Sequence, residues 1–131
     1  MKGANRYSMH QRSFWQRQAG NPNLFLWTRV YATAYGAHRM NGHAPFGDGE
    51  LALTLATVNE TTGELEVPES WAISRAIRLC VRYGFLESRS TSSCLVVPKE
   101  ISGGLLGSPQ EVCDRRHREP SRIGDESQRS A

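Results

Sequence analysis

The residues best placed to do chemistry in this chain are arginines. In the run SWAISRAIRLCVRYG, from Ser70 to Gly84, Arg75, Arg78 and Arg82 recur at steps of three and four. An α-helix turns by roughly 100° per residue, so the two faces of this segment can be worked out. With Ile73 at zero, Ala76, Ile77, Cys80 and Val81 fall within about 80° of it, while Trp71, Arg75, Arg78 and Arg82 fall within about 40° of the opposite pole. Ser74 lies at the border. One face is a core stripe, and the other carries three guanidinium groups, an indole and one or two hydroxyls. Arg bonds bidentately to the O6 and N7 of guanine, and an α-helix fits the major groove of B-DNA. Base contacts are therefore expected from Arg75, Arg78 and Ser74, near the end that enters the groove, and a phosphate contact from Arg82. The free N–H groups around Ser70 suit a phosphate as well. Trp71 has two readings: stacking on sugar or a thymine methyl, or packing on a neighbouring helix or a partner subunit.

Other constellations carry less. The carboxylates Asp48, Glu50, Glu60, Glu64, Glu66 and Glu69 are scattered, and no nucleophile elbow, P-loop or dinucleotide fingerprint occurs, so no enzymatic activity is expected. Cys113 and His117 have near-pair spacing, with Cys94 and His43 elsewhere, but structural zinc generally uses four ligands in tight pairs. No metal and no cofactor are expected. Three cysteines without a CxxC spacing point to a reducing setting rather than a disulfide framework.

These residues need elements to hold them. Residues 1–20 read as an arm or short helix docked by Phe14 and Trp15. After the turn Asn21-Pro22-Asn23, the run LFLWTRVYATAYGAHRM places Leu24, Trp27, Tyr31, Ala34 and His38 at helical spacing, ending at Asn41-Gly42. Asp48 caps a second, shorter helix with Leu51 and Leu55 inward. Residues 57–68 form a polar connector with one short strand at Leu65 to Val67, and the arginine-bearing segment from Ser70 is the third helix. Phe85-Leu86 and Cys94 to Val97 then read as the strands of a β-hairpin. Its loop, ESRSTSS, offers Arg89 and Ser90 to a phosphate backbone or minor groove. The stretch from about Gln110 has the composition of a disordered tail. Its arginines, interrupted by acids, read first as a solvated terminus.

The segment SWAISRAIRLCVRYGFLESRSTSSCLVVP resembles the recognition helix and wing of winged helix-turn-helix regulators. Taken in order, LWTRVYATAYGAHRMNGHAPFGDGELA, SRAIRLCVRYGFLE and CLVVP resemble small helix-turn-helix proteins of actinobacterial phages and prophages. The resemblance spans about residues 24–105. It implies a mainly α fold with a small β-hairpin, a three-helix core plus wing, in a domain at 21–107, between the N-terminal segment at 1–20 and a disordered charged tail at 108–131. It implies DNA binding by the third helix and the wing, without catalysis. The connector between helices two and three is longer than the usual three- or four-residue turn, which leaves the pose of helix two open.

The expected function is sequence-specific binding of double-stranded DNA by a transcriptional regulator of a phage or mobile element. The alternatives are a module docking on a host replication or transcription protein and a replication or excision accessory factor. A homodimer joined through helix one or the N-terminal arm is compatible with the pattern. The 131 residues carry 16 Lys and Arg against 13 Asp and Glu, a net +3, and only Lys2 and Lys99 are lysine. That excess is modest, so the distribution of charge decides more than its sum. No apolar run reaches the length of a membrane span and no signal-peptide pattern opens the chain, so a cytoplasmic location without membrane or small-molecule partners is expected.

Overall fold

The computed structural model describes residues 12–101 together with 110, 112 and 113. The elements run α1 (residues 12–19), α2 (Leu26–Ala37), β1 (His43–Pro45), α3 (Glu50–Thr54), β2 (Thr57–Val58), β3 (Leu65–Glu66), α4 (Ser70–Arg82) and β4 (Cys94–Val96). The described residues are thus mainly helical with small antiparallel β pairs. None of their helices is long and apolar enough to cross a membrane.

The core is where α2 and α4 pack. Val30, Ala34 and Tyr35 from α2 meet Ile73, Ala76, Ile77 and Cys80 from α4, and Leu51 and Leu55 close one side. An aromatic layer caps this core: Tyr31 stacks on Phe85 with ring centroids 4.4 Å apart, and Trp27 lies 5.8 Å from both. The Tyr35 hydroxyl reaches through to donate to the Phe85 carbonyl at 2.8 Å.

α1 docks on α2 through one of the two rings expected to hold it. Trp15 meets Tyr35 edge-on at 5.1 Å, while Phe14 stays largely exposed. Close approach of the two helices is permitted by Gly36, where a Cβ would stand 2.9 Å from Cγ of Gln16. The buried Arg29 donates Nε to the Ala19 carbonyl at 2.8 Å and Nη2 to the Leu55 carbonyl at 3.1 Å, so one guanidinium joins the ends of α1 and α3. Burial lowers its pKa from the usual arginine value.

Four local expectations are corrected. The first long helix stops at Ala37 instead of Asn41, because His38 turns extended and its Nδ1 contacts the carbonyls of Tyr35 at 2.9 Å and Ala34 at 3.2 Å. Its imidazole is a C-terminal cap, and Gly42 at φ 85° then turns the chain into β1. The residue at the N-cap of α3 is Gly49 rather than Asp48. The connector holds a complete hairpin, with Thr57 opposite Glu66 and Val58 opposite Leu65. Its turn is held by Asn59, whose side-chain oxygen accepts from the N–H groups of Thr61 and Thr62.

The fourth correction concerns the expected wing. β4 pairs with β1, not with Phe85-Leu86, in the register His43 to Val96, Ala44 to Leu95 and Pro45 to Cys94. The physical reason lies at the end of α4. Gly84 takes φ 84°, and the N–H groups of Phe85 and Leu86 bond back to the Cys80 carbonyl at 2.8 and 3.3 Å, closing the helix as left-handed caps do. Both side chains are thereby turned toward the core. The outer edge of β4 is met instead by Glu87, donating its N–H to the Val96 carbonyl at 2.8 Å, and by Thr91, which forms a single antiparallel bridge with Cys94. The expected packing of the Gly-rich stretch and the disordered tail fall mainly outside the described residues.

Candidate nucleic-acid interface

α4 is the best-defined amphipathic element of the fold. Ile73, Ala76, Ile77 and Cys80 are buried, and Ser70, Trp71, Ser74, Arg75, Arg78 and Arg82 are exposed, as the periodicity requires. Among the described residues no carboxylate pairs with Arg75, Arg78 or Arg82. Three cations therefore stand in water on one side of one helix. Trp71 is 63% exposed and its indole N–H donates to the Glu69 carboxylate, so it packs on no other helix of the described residues.

Beside this face runs a cleft of about 490 Å³ between the helix and the turn that follows it. Ser74, Arg78 and Arg82 line one wall, and Ser88, Thr91 and Ser92 line the other. A second, smaller cleft of about 220 Å³ continues past Ser70 and Ser74 to the Gly47-Asp48-Gly49 turn before α3. The two clefts share Ser74 and Ser92, and Ile77 and Val81 add apolar lining to the hydroxyls and guanidiniums of the first.

Two residues assigned to the wing sit differently from expectation. Ser90 is buried: its Oγ accepts from the Val96 N–H at 2.9 Å and donates to the Val96 carbonyl at 3.3 Å. Its hydroxyl is engaged by the backbone of Val96, although the residue also lines the cleft. Arg89 is half-buried with its guanidinium held by the Glu87 carboxylate at 3.0 Å, which neutralises the charge expected at the tip. Ser88 and Ser92 are the exposed hydroxyls there. At the other end, Ser70 is the first residue of α4 but Glu69 stands at its N-cap, so a carboxylate flanks the end of the helix where an anion was expected to bind.

Charge is segregated along the chain. Residues 48–69 contain Asp48, Glu50, Glu60, Glu64, Glu66 and Glu69 and no Lys or Arg, whereas α4 carries Arg75, Arg78 and Arg82 and no acid. The β2–β3 hairpin is therefore an acidic excursion placed immediately before a basic helix. Sequence patterning could have found this, since it needs only a count of signs from Asp48 to Arg82.

One assembly was set aside by the sequence reading. His43, Cys94 and Cys113 come together with their donor atoms all within 4.8 Å of one another. Fifty-one residues separate the first two, so no local spacing reports it. Comparison with protein-family models, with curated proteins and with solved structures finds no match to this chain. Its function is read from the geometry alone.

Proposed function

We propose that the protein is a sequence-specific binder of double-stranded DNA with a winged helix-turn-helix arrangement, acting as a transcriptional regulator. One observation carries the reading: three guanidiniums, paired with no carboxylate among the described residues, project from the face of α4 opposite its buried stripe. Supporting it are the order α2, β1, α3, the β2–β3 hairpin, α4, β4 and the groove that α4 shares with the turn at 87–93. In this arrangement α4 enters a major groove, Arg75, Arg78 and Ser74 meet base edges, and Arg82 meets a phosphate. Exposed Ser88 and Ser92 replace Ser90 and Arg89 as the backbone contacts of the wing. The acidic β2–β3 hairpin is held off the duplex by like-charge repulsion, which fixes which way round the domain docks.

The test is the affinity of the full chain for random and selected duplexes across a salt series. Duplex binding neutralises phosphates, so log affinity should fall with log salt at about −0.9 per phosphate contacted. Selection from a random pool supplies the site, and a palindromic product reports a two-fold complex. A chain that binds no duplex at low salt, but retains a protein partner in a pull-down, would be a docking module instead.

A further inference from the structure

We infer that His43, Cys94 and Cys113 form a zinc site that fastens the chain around residue 113 to the β1–β4 sheet. This inference stands apart from the duplex reading and uses none of its residues. His43 and Cys94 lie diagonally across the antiparallel pair, on the same face of its ladder, since His43 opposes Val96 and Cys94 opposes Pro45. Cys113 arrives from further along the chain and completes the group.

The two distances from Cys94 carry the assignment, with His43 and Cys113 within 4.8 Å of each other. In a tetrahedral site with Zn–S near 2.3 Å and Zn–N near 2.0–2.1 Å, two sulfurs stand about 3.8 Å apart and a sulfur and a nitrogen about 3.6 Å apart. Here Cys94 Sγ lies 3.6 Å from Cys113 Sγ and 3.5 Å from His43 Nδ1. A disulfide would bring the sulfurs to about 2.0 Å, and both cysteines are thiols. Cys80 shows what a cysteine without this role does in the same fold: it lies in the core with its thiol donating to the Trp27 carbonyl at 3.0 Å.

The chemistry selects the ion. Two thiolates and an imidazole are borderline-soft donors that suit zinc and do not suit magnesium or calcium. Binding sends two thiol protons to solvent, and the two thiolates then cancel the charge of the ion. The resulting complex is neutral, so it can sit where His43 and Cys94 are buried without the cost of an isolated charge. The fourth position of the tetrahedron is left to water.

The test uses the full chain, stripped of metal and kept reduced, titrated with zinc against a chromophoric chelator and separately with cobalt. The wild type should take up one zinc per chain, and cobalt should give the visible bands of a tetrahedral ion with thiolate charge-transfer bands in the near ultraviolet. Cys113→Ser, at a half-buried position, should weaken zinc by more than about 100-fold, beyond what loss of a supporting hydrogen bond costs. Cys80→Ala should bind as the wild type does. The inference is overturned if reduced wild type binds no zinc, if cobalt gives a spectrum without thiolate bands, or if Cys113→Ser binds as tightly as wild type. It is equally overturned if Cys94 and Cys113 are found joined as a disulfide that persists in reductant.

Discussion

The hydroxyl of Ser90 bridges both backbone groups of Val96, taking its N–H at 2.9 Å and giving to its carbonyl at 3.3 Å. A serine side chain thus occupies part of the sheet edge where a second wing strand was expected, and the turn at 87–93 is fixed to β4 through it. Ser90→Ala leaves a buried N–H without its acceptor and should cost about 1–3 kcal/mol of stability in denaturant titration. Ser90→Thr, which keeps the hydroxyl, should recover part of that loss. Unchanged stability in the alanine variant would show that the turn is held by other means.

Gly36 gives a prediction whose sign decides it. In a free helix, glycine to alanine stabilises by about 1 kcal/mol. At this position the added Cβ meets Gln16 Cγ at 2.9 Å and Gln16 N at 3.2 Å, the second of which is backbone. Gly36→Ala should therefore destabilise, by about 1–3 kcal/mol, and push α1 away from α2. The displacement should be visible as greater solvent exposure of Trp15 by fluorescence quenching.

His38 sets a dependence on pH. Burial lowers its pKa below the usual 6.5, outweighing the carbonyls of Ala34 and Tyr35 that favour its protonated form. The unfolded chain thus holds the proton more tightly than the folded one, and stability declines as pH falls through about 6.5 toward the folded value. Above that range the contribution is fully present. Chemical denaturation at pH 7.5 and pH 5.5 should show a loss in the wild type that is smaller in His38→Asn.

Arg78 and Arg82 should separate base reading from charge. Arg78→Ala should cost about 1–3 kcal/mol on the selected duplex and relax preference at one base position. Arg82→Ala should weaken selected and random duplexes alike and make the salt slope shallower by about 1. Identical losses from both, with no change in preference, would reduce α4 to a nonspecific polyanion contact.

α4 was legible in the sequence because its 13 residues repeat one apolar stripe over more than three turns, a signal that needs no knowledge of distant partners. β1 was not: it is the three residues His43-Ala44-Pro45, and it exists only because Cys94–Val96 comes back to pair with it. Phe85-Leu86 looked like a strand since two adjacent large apolar residues fit strand and helix-stop equally well. The left-handed Gly84 decided between them. The outward arginines of the interface follow from periodicity, but the inward turn of Ser90 and the Glu87 partner of Arg89 are tertiary facts. The gathering of His43, Cys94 and Cys113 likewise depends on the β1–β4 register and on a return of the chain 19 residues after Cys94.

The pairing of β1 with β4 has a temporal consequence. Everything from Phe46 to Ser93, including both walls of the groove, lies on one excursion of chain whose two ends are joined when residue 43 meets residue 96. During synthesis, a nascent polypeptide that has not yet released Cys94–Val96 from the ribosome has α4 available but no clamp to seat the turn against it. The proposed duplex binding would consequently be acquired late, so truncated translation products would be poor competitors for the duplexes the whole chain is proposed to bind.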